Sequence, residues 1–350
     1  MVSTQTPDLS SLLHDSLLIV ILSMLPFKEL VRKSFVSRRW RNLCRQTTSL
    51  VFKESDFVTP SVPGRELEEP TSCDEDDDRA FVAGVMLHWV SKFTGTAIQN
   101  FEIHLSQPLH FEGELMSLIE FATSRHVKNL VLNFSADEPI QQPLSDYLRI
   151  RRLRHAIRAD YILRCKKKEL DVSRLFFNLI YVKSLTVCSF LLEAIEDCDH
   201  PLALHDPMET QHLVMITNLH PKELGGISIF LSSCPKLESL TFDSVTKCRL
   251  RLVPSPTTKD PKTYWLTSKA YKCLEKTLKV VKVKNFTGGF NELQVLQYLI
   301  RTGCVLERVD LYEAKGLNPN QKSLVMAGVE KAQKNFKKAS KNLRITLNSA

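Results

Sequence analysis

Two hydrophobic rhythms follow one another along this chain. Between residues 13 and 44 the apolar positions keep helical spacing. Leu17, Leu18, Ile21, Leu22 and Leu25 fall at i, i+1, i+4, i+5 and i+8, which is one face of a helix. Asp15 or Ser16 can cap it, since either side chain can accept from the free first-turn amides. Pro26 ends it, because the residue before a proline avoids the helical region. A second short helix is predicted over 28–31. A third is predicted over 34–43, with Phe35, Val36, Trp40 and Leu43 on one side and Arg38, Arg39 and Arg41 on the other. A unit below ~40 residues rarely stands alone, so this one needs a covering surface from the rest of the chain or from a partner.

The second rhythm begins near residue 97 and reads apolar, two residues, apolar, one residue, apolar. Its matches are Ile98/Phe101/Ile103, Val127/Leu130/Leu132, Val182/Leu185/Val187, Leu237/Leu240/Phe242, Leu278/Val281/Val283 and Leu306/Val309/Leu311. The starts fall 29, 55, 55, 41 and 28 residues apart. Because 55 is close to twice 27 or 28, further degenerate repeats are expected around 161–165 and 213–216. An L-x-x-L-x-L pattern at 20–29-residue spacing is the leucine-rich-repeat signature. The alternating pair is a strand with one face inward, and the leading residue closes the turn before it. The segments between, such as 223–232 and 293–301, have helical spacing. The prediction is an α/β chain, an irregular solenoid with a parallel sheet. A stripe at Val325, Val329, Ala332, Phe336, Ala339 and Leu343 predicts a C-terminal helix that caps the open end, and 344–347 reads as a last strand. Residues 81–93 read as a helix, 54–79 as an acidic surface loop, and the insertion 253–264 as a loop.

Composition narrows the chemistry. Apolar residues make up 43% and charged residues 25%, as in ordinary globular proteins. The net charge of +8 comes from local runs without interleaved aromatics, so nucleic acid is not an expected partner. The start of the chain does not read as a signal peptide, and its longest apolar run, 17–22, is too short to span a bilayer. A soluble intracellular protein of the nucleus or cytoplasm, with no membrane contact, is expected. The nine cysteines are scattered, odd in number and never spaced C-x-x-C, so they read as small buried hydrophobes. No H-E-x-x-H, G-x-S-x-G or paired-cysteine motif is present, and the Thr287-Gly288-Gly289 turn lacks the spacing and lysine of a phosphate loop. No catalytic residue, metal or cofactor is expected.

The residues of the first rhythm also carry a resemblance. Leu13, then Ile21-Leu22-Ser23-Met24-Leu25-Pro26-Phe27-Lys28-Glu29-Leu30, then Ser34-Phe35-Val36-Ser37-Arg38-Arg39-Trp40-Arg41-Asn42-Leu43, is similar to the F-box in its plant form. Two positions depart: His14 stands where that family usually has proline, and Cys44 where it often has tryptophan. The stretch 233–245, SCPKLESLTFDSV, resembles the repeats of plant F-box/leucine-rich-repeat proteins. Residues 273–290 and 296–309 resemble their C-terminal FBD-type module. The resemblance implies an F-box over 8–50, an acidic linker over 51–80, leucine-rich repeats over 81–270, and an FBD-like region with the capping helix over 271–350. It further implies a non-catalytic substrate-recognition subunit of an SCF-type cullin-RING ubiquitin ligase. The F-box would bind a Skp-family adaptor and, through it, a cullin; the repeats would bind a target protein whose identity the resemblance does not give. The adaptor contacts expected on that basis are Leu13, Leu17, Leu18, Leu22, Pro26, Val36 and Trp40. Ile21, Phe35 and Leu43 are assigned to the internal core. The alternatives are a repeat scaffold outside ubiquitination and a small-molecule co-receptor using the basic residues between Arg149 and Lys168.

Overall fold

A computed structural model describes residues 13–56, 72–105, 112–134, 177–196, 207–244, 261–265 and 271–349. The expected repeat at 161–165 and the basic residues between Arg149 and Lys168 lie outside them. The described residues fall into two compact units. The first comprises 13–104 with 112–128; the second comprises 105, 129–134 and everything described from 177 onward.

The first unit opens with three helices: α1 (Asp15–Leu22), α2 (Phe27–Ser34) and α3 (Arg38–Cys44). The cap of α1 is neither Asp15 nor Ser16 but His14, whose Nδ1 accepts from the Ser16 amide at 3.3 Å. The departure from proline therefore supplies a start signal. Ser37 caps α3 by accepting from the Trp40 amide at 3.2 Å. Next come β1 (Ser49–Lys53), one 3-10 turn, α4 (Ser72–Ser91), β2 (Asn100–His104) and α5 (Glu112–Ser124). β1 and β2 pair in parallel, with Leu50 opposite Phe101 and Phe52 opposite Ile103.

β1 was not expected. Its sequence, Thr47-x-x-Leu50-x-Phe52, fits the repeat except that a threonine leads it, and Thr47 is fully buried. The acidic linker is corrected as well. Residues 49–53 are strand, and the run Asp74–Asp78 falls in the first two turns of α4, not in a loop. Residues 57–71 lie outside the described ones.

The three helices do get a covering surface from their own chain. Phe27 meets Phe52 edge-on at 4.7 Å and Trp89 at 5.3 Å; Phe52 meets Phe101 at 5.6 Å, and Phe101 meets Phe121 at 6.1 Å. This column of rings ties α2 to β1, β2, α4 and α5. The Ser23 hydroxyl, just past α1, accepts from the Thr48 amide at 2.9 Å and so pins α1 to the start of β1.

In the second unit each repeat is a strand followed by a crossover. The strands are β3 (Asn129–Asn133), β4 (Ser184–Cys188), β5 (His212–Ile216), β6 (Ser239–Asp243), β7 (Val280–Phe286), β8 (Arg308–Glu313) and β9 (Arg344–Asn348). Each pairs in parallel with the next in chain order. The register sets Leu130, Leu185, Leu213, Leu240, Val281, Val309 and Ile345 in one inward row, all buried. The leading residues Val182, Leu237, Leu278 and Leu306 are buried too, and Thr210 fills the same place ahead of β5. Just after them the amides of Gln211, Glu238, Lys279, Glu307 and Arg344 each donate to the carbonyl one repeat earlier, at 2.8–3.0 Å. The L-x-x-L-x-L spacing thus reflects a buried turn, a backbone rung and a half-buried strand. β5 is the repeat expected at 213–216.

The crossovers include α6 (Ser189–Glu196), α7 (Leu224–Ser233), α8 (Pro261–Tyr264), α9 (Lys272–Lys276), α10 (Phe290–Thr302) and α11 (Pro319–Glu330). The one-turn α8 falls where the insertion was expected to be loop. α11 runs on only through a π turn at Lys331–Asn335, after which Phe336 is extended. The predicted helix to Leu343 therefore ends early, and Ala339 is exposed. It bridges β8 and β9, so β9 and not a capping helix closes the sequence of strands. Before α10, Glu292 accepts from the Thr287 amide at 3.1 Å and the Gly289 amide at 2.9 Å. The amides of that turn are thus already occupied by the chain's own carboxylate.

Candidate docking surface of the N-terminal helices

Helix α1 is apolar on two sides. One stripe, Leu18 and Leu22, is 2% and 1% exposed and faces the unit's own core with Phe27, Leu30 and Leu43. The other, Leu17, Val20, Ile21 and Met24, runs at i, i+3, i+4 and i+7 and is 48–77% exposed. A helix that is hydrophobic all round is ordinarily buried all round. Here one stripe is covered and one is not.

The turn between α2 and α3 adds Phe35 and Val36, 57% and 65% exposed. Arg39, one turn further on, ties this turn to the start of α1. Its Nη2 donates to the Leu13 carbonyl at 2.8 Å and to Asp15 at 2.7 Å, and its Nε donates to Asp15 at 3.0 Å. Leu13 is itself exposed, as is Pro26, and Trp40 is half-buried. Seven large apolar side chains thus face solvent within 24 residues, between Leu13 and Val36. Clusters of this kind mark interaction sites more than scattered single residues do.

The expected contact set divides accordingly. Leu13, Leu17, Pro26 and Val36 are at the surface, and Trp40 is partly so. Leu18 and Leu22 are turned inward and offer a partner no area. Ile21 and Phe35, assigned to the core from sequence, are outside, whereas Leu43 is in the core. Val20 and Met24 were missed. The signal for them was present: together with Leu17 and Ile21 they form a second helical stripe, one residue out of phase with Leu18, Leu22 and Leu25.

Cys44 packs inside the bundle. Its Sγ donates to the Leu30 carbonyl at 3.4 Å, and burial pushes its thiol up to about 11. It is part of the internal packing, not of the outer surface. Cys188, Cys234 and Cys273 are buried as expected, but Cys304 is exposed. Among the described residues no group of three or more His, Cys, Asp or Glu side chains is placed to hold a metal ion. No helix among them is long and apolar enough to cross a membrane.

Comparison with known proteins falls on the same segments. A family profile described as F-box-like matches residues 15–53, and one described as FBD matches residues 267–311. In Arabidopsis thaliana, the F-box/LRR-repeat protein At5g54820 is 31% identical over 96% of this chain and 97% of its own length. The F-box/LRR-repeat protein At1g56400 is 30% identical over 92% of this chain and 94% of its own length. The F-box protein At3g62230 is 29% identical over 97% and 98%.

Proposed function

This chain belongs to the F-box/LRR-repeat protein family, and we propose that it is a substrate-recognition subunit of an SCF-type cullin-RING ubiquitin ligase. Its N-terminal helices dock a Skp-family adaptor, which links the chain to a cullin, and its repeats hold a target protein. The observation that carries this reading is the uncovered stripe Leu17–Val20–Ile21–Met24 beside Phe35 and Val36. An apolar helix face set next to an apolar turn suits a helix-in-groove interface. The contacts proposed are therefore Leu13, Leu17, Val20, Ile21, Met24, Pro26, Phe35, Val36 and the open part of Trp40. Leu18 and Leu22 act through the fold. No residue of this chain performs chemistry in this scheme. Holding the target beside a ligase raises its effective concentration.

The variant Leu17→Asp/Ile21→Asp tests it by affinity capture with a purified Skp-family adaptor. Capture is expected to fall ~100-fold or more, as for paired interface anchors, with the thermal unfolding midpoint unchanged. By contrast Leu22→Ala is expected to lower stability by ~2–5 kcal/mol, because it opens a cavity. If the wild-type chain captures no such adaptor, or the double variant captures it equally well, the reading fails.

A further inference from the structure

The sheet of the second unit has an outer face whose last three strands are unusually charged. Register places Arg308 of β8 directly opposite Arg344 of β9, and Lys282 of β7 directly opposite Asp310 of β8. All four belong to the positions that alternate with the buried row, so all four stand on the same face. Neighbouring strands are about 4.8 Å apart, so the two arginines arise from adjacent positions on the face. Like charges directly opposite one another destabilise a sheet.

One carboxylate lies among these three cations. Asp310 accepts from Arg308 Nε at 2.9 Å and from the Thr346 hydroxyl at 3.1 Å, and it is 6% exposed. Arg344 and Lys282 have no carboxylate at ion-pair distance among the described residues. One row further along, Lys284 is matched by Asp243 at 2.9 Å. The face therefore carries four cations and two anions, and both unmatched cations border Asp310. Arg308 and Arg344 are exposed; Val280, opposite Arg308, and Tyr312, two rows further along β8, are half-buried on the same face.

We propose that this face, centred on Arg344, Arg308 and Lys282, is the seat of an acidic, extended segment of the protein that the repeats hold. Resting as it does on the ligase reading above, the inference names the chemical class of that target segment. One carboxylate sits between the two arginines, which present forked donors suited to it. A second meets Lys282, one row (about 7 Å) along the strands and one strand over from Arg308, a step that alternate residues of an extended peptide crossing the strands obliquely can span with the reach of the lysine side chain. Asp310 and Asp243 sit inside the patch, so it alternates in sign. A nucleic-acid backbone, negative at every step, meets those two carboxylates, whereas spaced carboxylates on a peptide avoid them.

Fluorescence polarisation on the full-length chain at physiological salt is the test. The probes are a fluorescein-labelled peptide of alternating glutamate and serine, its lysine counterpart, and a labelled oligouridine. The acidic peptide is expected to bind and the other two are not. Lys282→Glu/Arg344→Glu is expected to weaken the peptide about tenfold or more, as loss of charge-assisted bonds does. Arg344→Thr should weaken it too, yet leave the unfolding midpoint equal to or above wild type, since it removes the arginine pair. The inference is overturned if the acidic peptide does not bind, if it binds the double variant equally well, or if oligouridine binds more tightly and is released by the same substitutions. Adaptor capture by the double variant should be unchanged. A wild-type chain that binds the peptide but captures no adaptor would sink the ligase reading and leave the peptide seat standing.

Discussion

Glu223 has no solvent exposure and closes the 3-10 turn ahead of α7. The Thr217 hydroxyl donates to its carboxylate, and backbone amides nearby point the same way, but Oε1 has no partner among the described residues. Burial outweighs those donors and pushes the carboxyl from 4.5 up to about 7. Between those two values the folded chain holds the proton more firmly than the unfolded chain, so stability is highest below the lower value and falls as pH rises through the upper one. Glu223→Gln is expected to remove a fall on the order of 3 kcal/mol between about pH 5 and about pH 8. Urea unfolding of both proteins across that range checks it, and an unchanged slope would contradict it. Sequence could not reveal this group, because helical spacing over 223–232 does not tell whether the glutamate that opens the segment is solvated or buried. The same holds for Leu17 and Leu18. Adjacent leucines on a short helix are equivalent by composition, and only the placement of Phe27, Leu30 and Leu43 decides which one is covered. His14 stood out only as a departure from the family's usual proline and proved to be the cap, because its Nδ1 reaches the Ser16 amide as an asparagine side chain would.

At the level of elements, the strands were the most legible part of the chain. Six apolar triplets marked β2, β3, β4, β6, β7 and β8, because one face of each strand must be buried. β1 and β5 were harder, since Thr47 and Thr210 occupy the leading position as buried hydroxyls; the Thr210 hydroxyl donates to the Val182 carbonyl at 2.8 Å. The end of α11 was misread because Phe336 keeps helical spacing and is buried, but through an extended backbone. Helix-on-helix spacing was invisible in the sequence, and Gly226 shows why it matters. A Cβ there would collide with the backbone carbonyl of Leu192 on α6. Backbone cannot move aside as a flexible side chain can, so Gly226→Ala is expected to separate α6 from α7. The predicted cost is at least ~1–3 kcal/mol, typical of overpacking, seen as a lower thermal midpoint. The same midpoint in both proteins would show that the two helices tolerate the extra methyl group.

For the molecule as a whole, the N-terminal helices are one part of a larger unit. Phe27 needs Phe52 and Trp89, and Phe52 needs Phe101. A fragment beginning at residue 80 is therefore expected to lose this fold, because it leaves Trp89 and Phe101 without the rings that cover them. This arrangement gives the F-box a firm floor and frees one stripe of α1 for a partner. The α/β class and parallel strand pairing were legible because repeated spacing encodes them, and the family was legible from the resemblance carried by residues 13–43 and 273–309. Which apolar residues face outward was not, because that depends on packing between segments far apart in the chain. The proposed docking is most directly tested by amide hydrogen exchange of the full-length chain with and without a saturating Skp-family adaptor. The account predicts slower exchange on binding along α1 and through the turn at Phe35–Val36, with β7, β8 and β9 unchanged. Adaptor binding that leaves the amides of α1 and that turn unaltered, or slows those of β7–β9 instead, would contradict it.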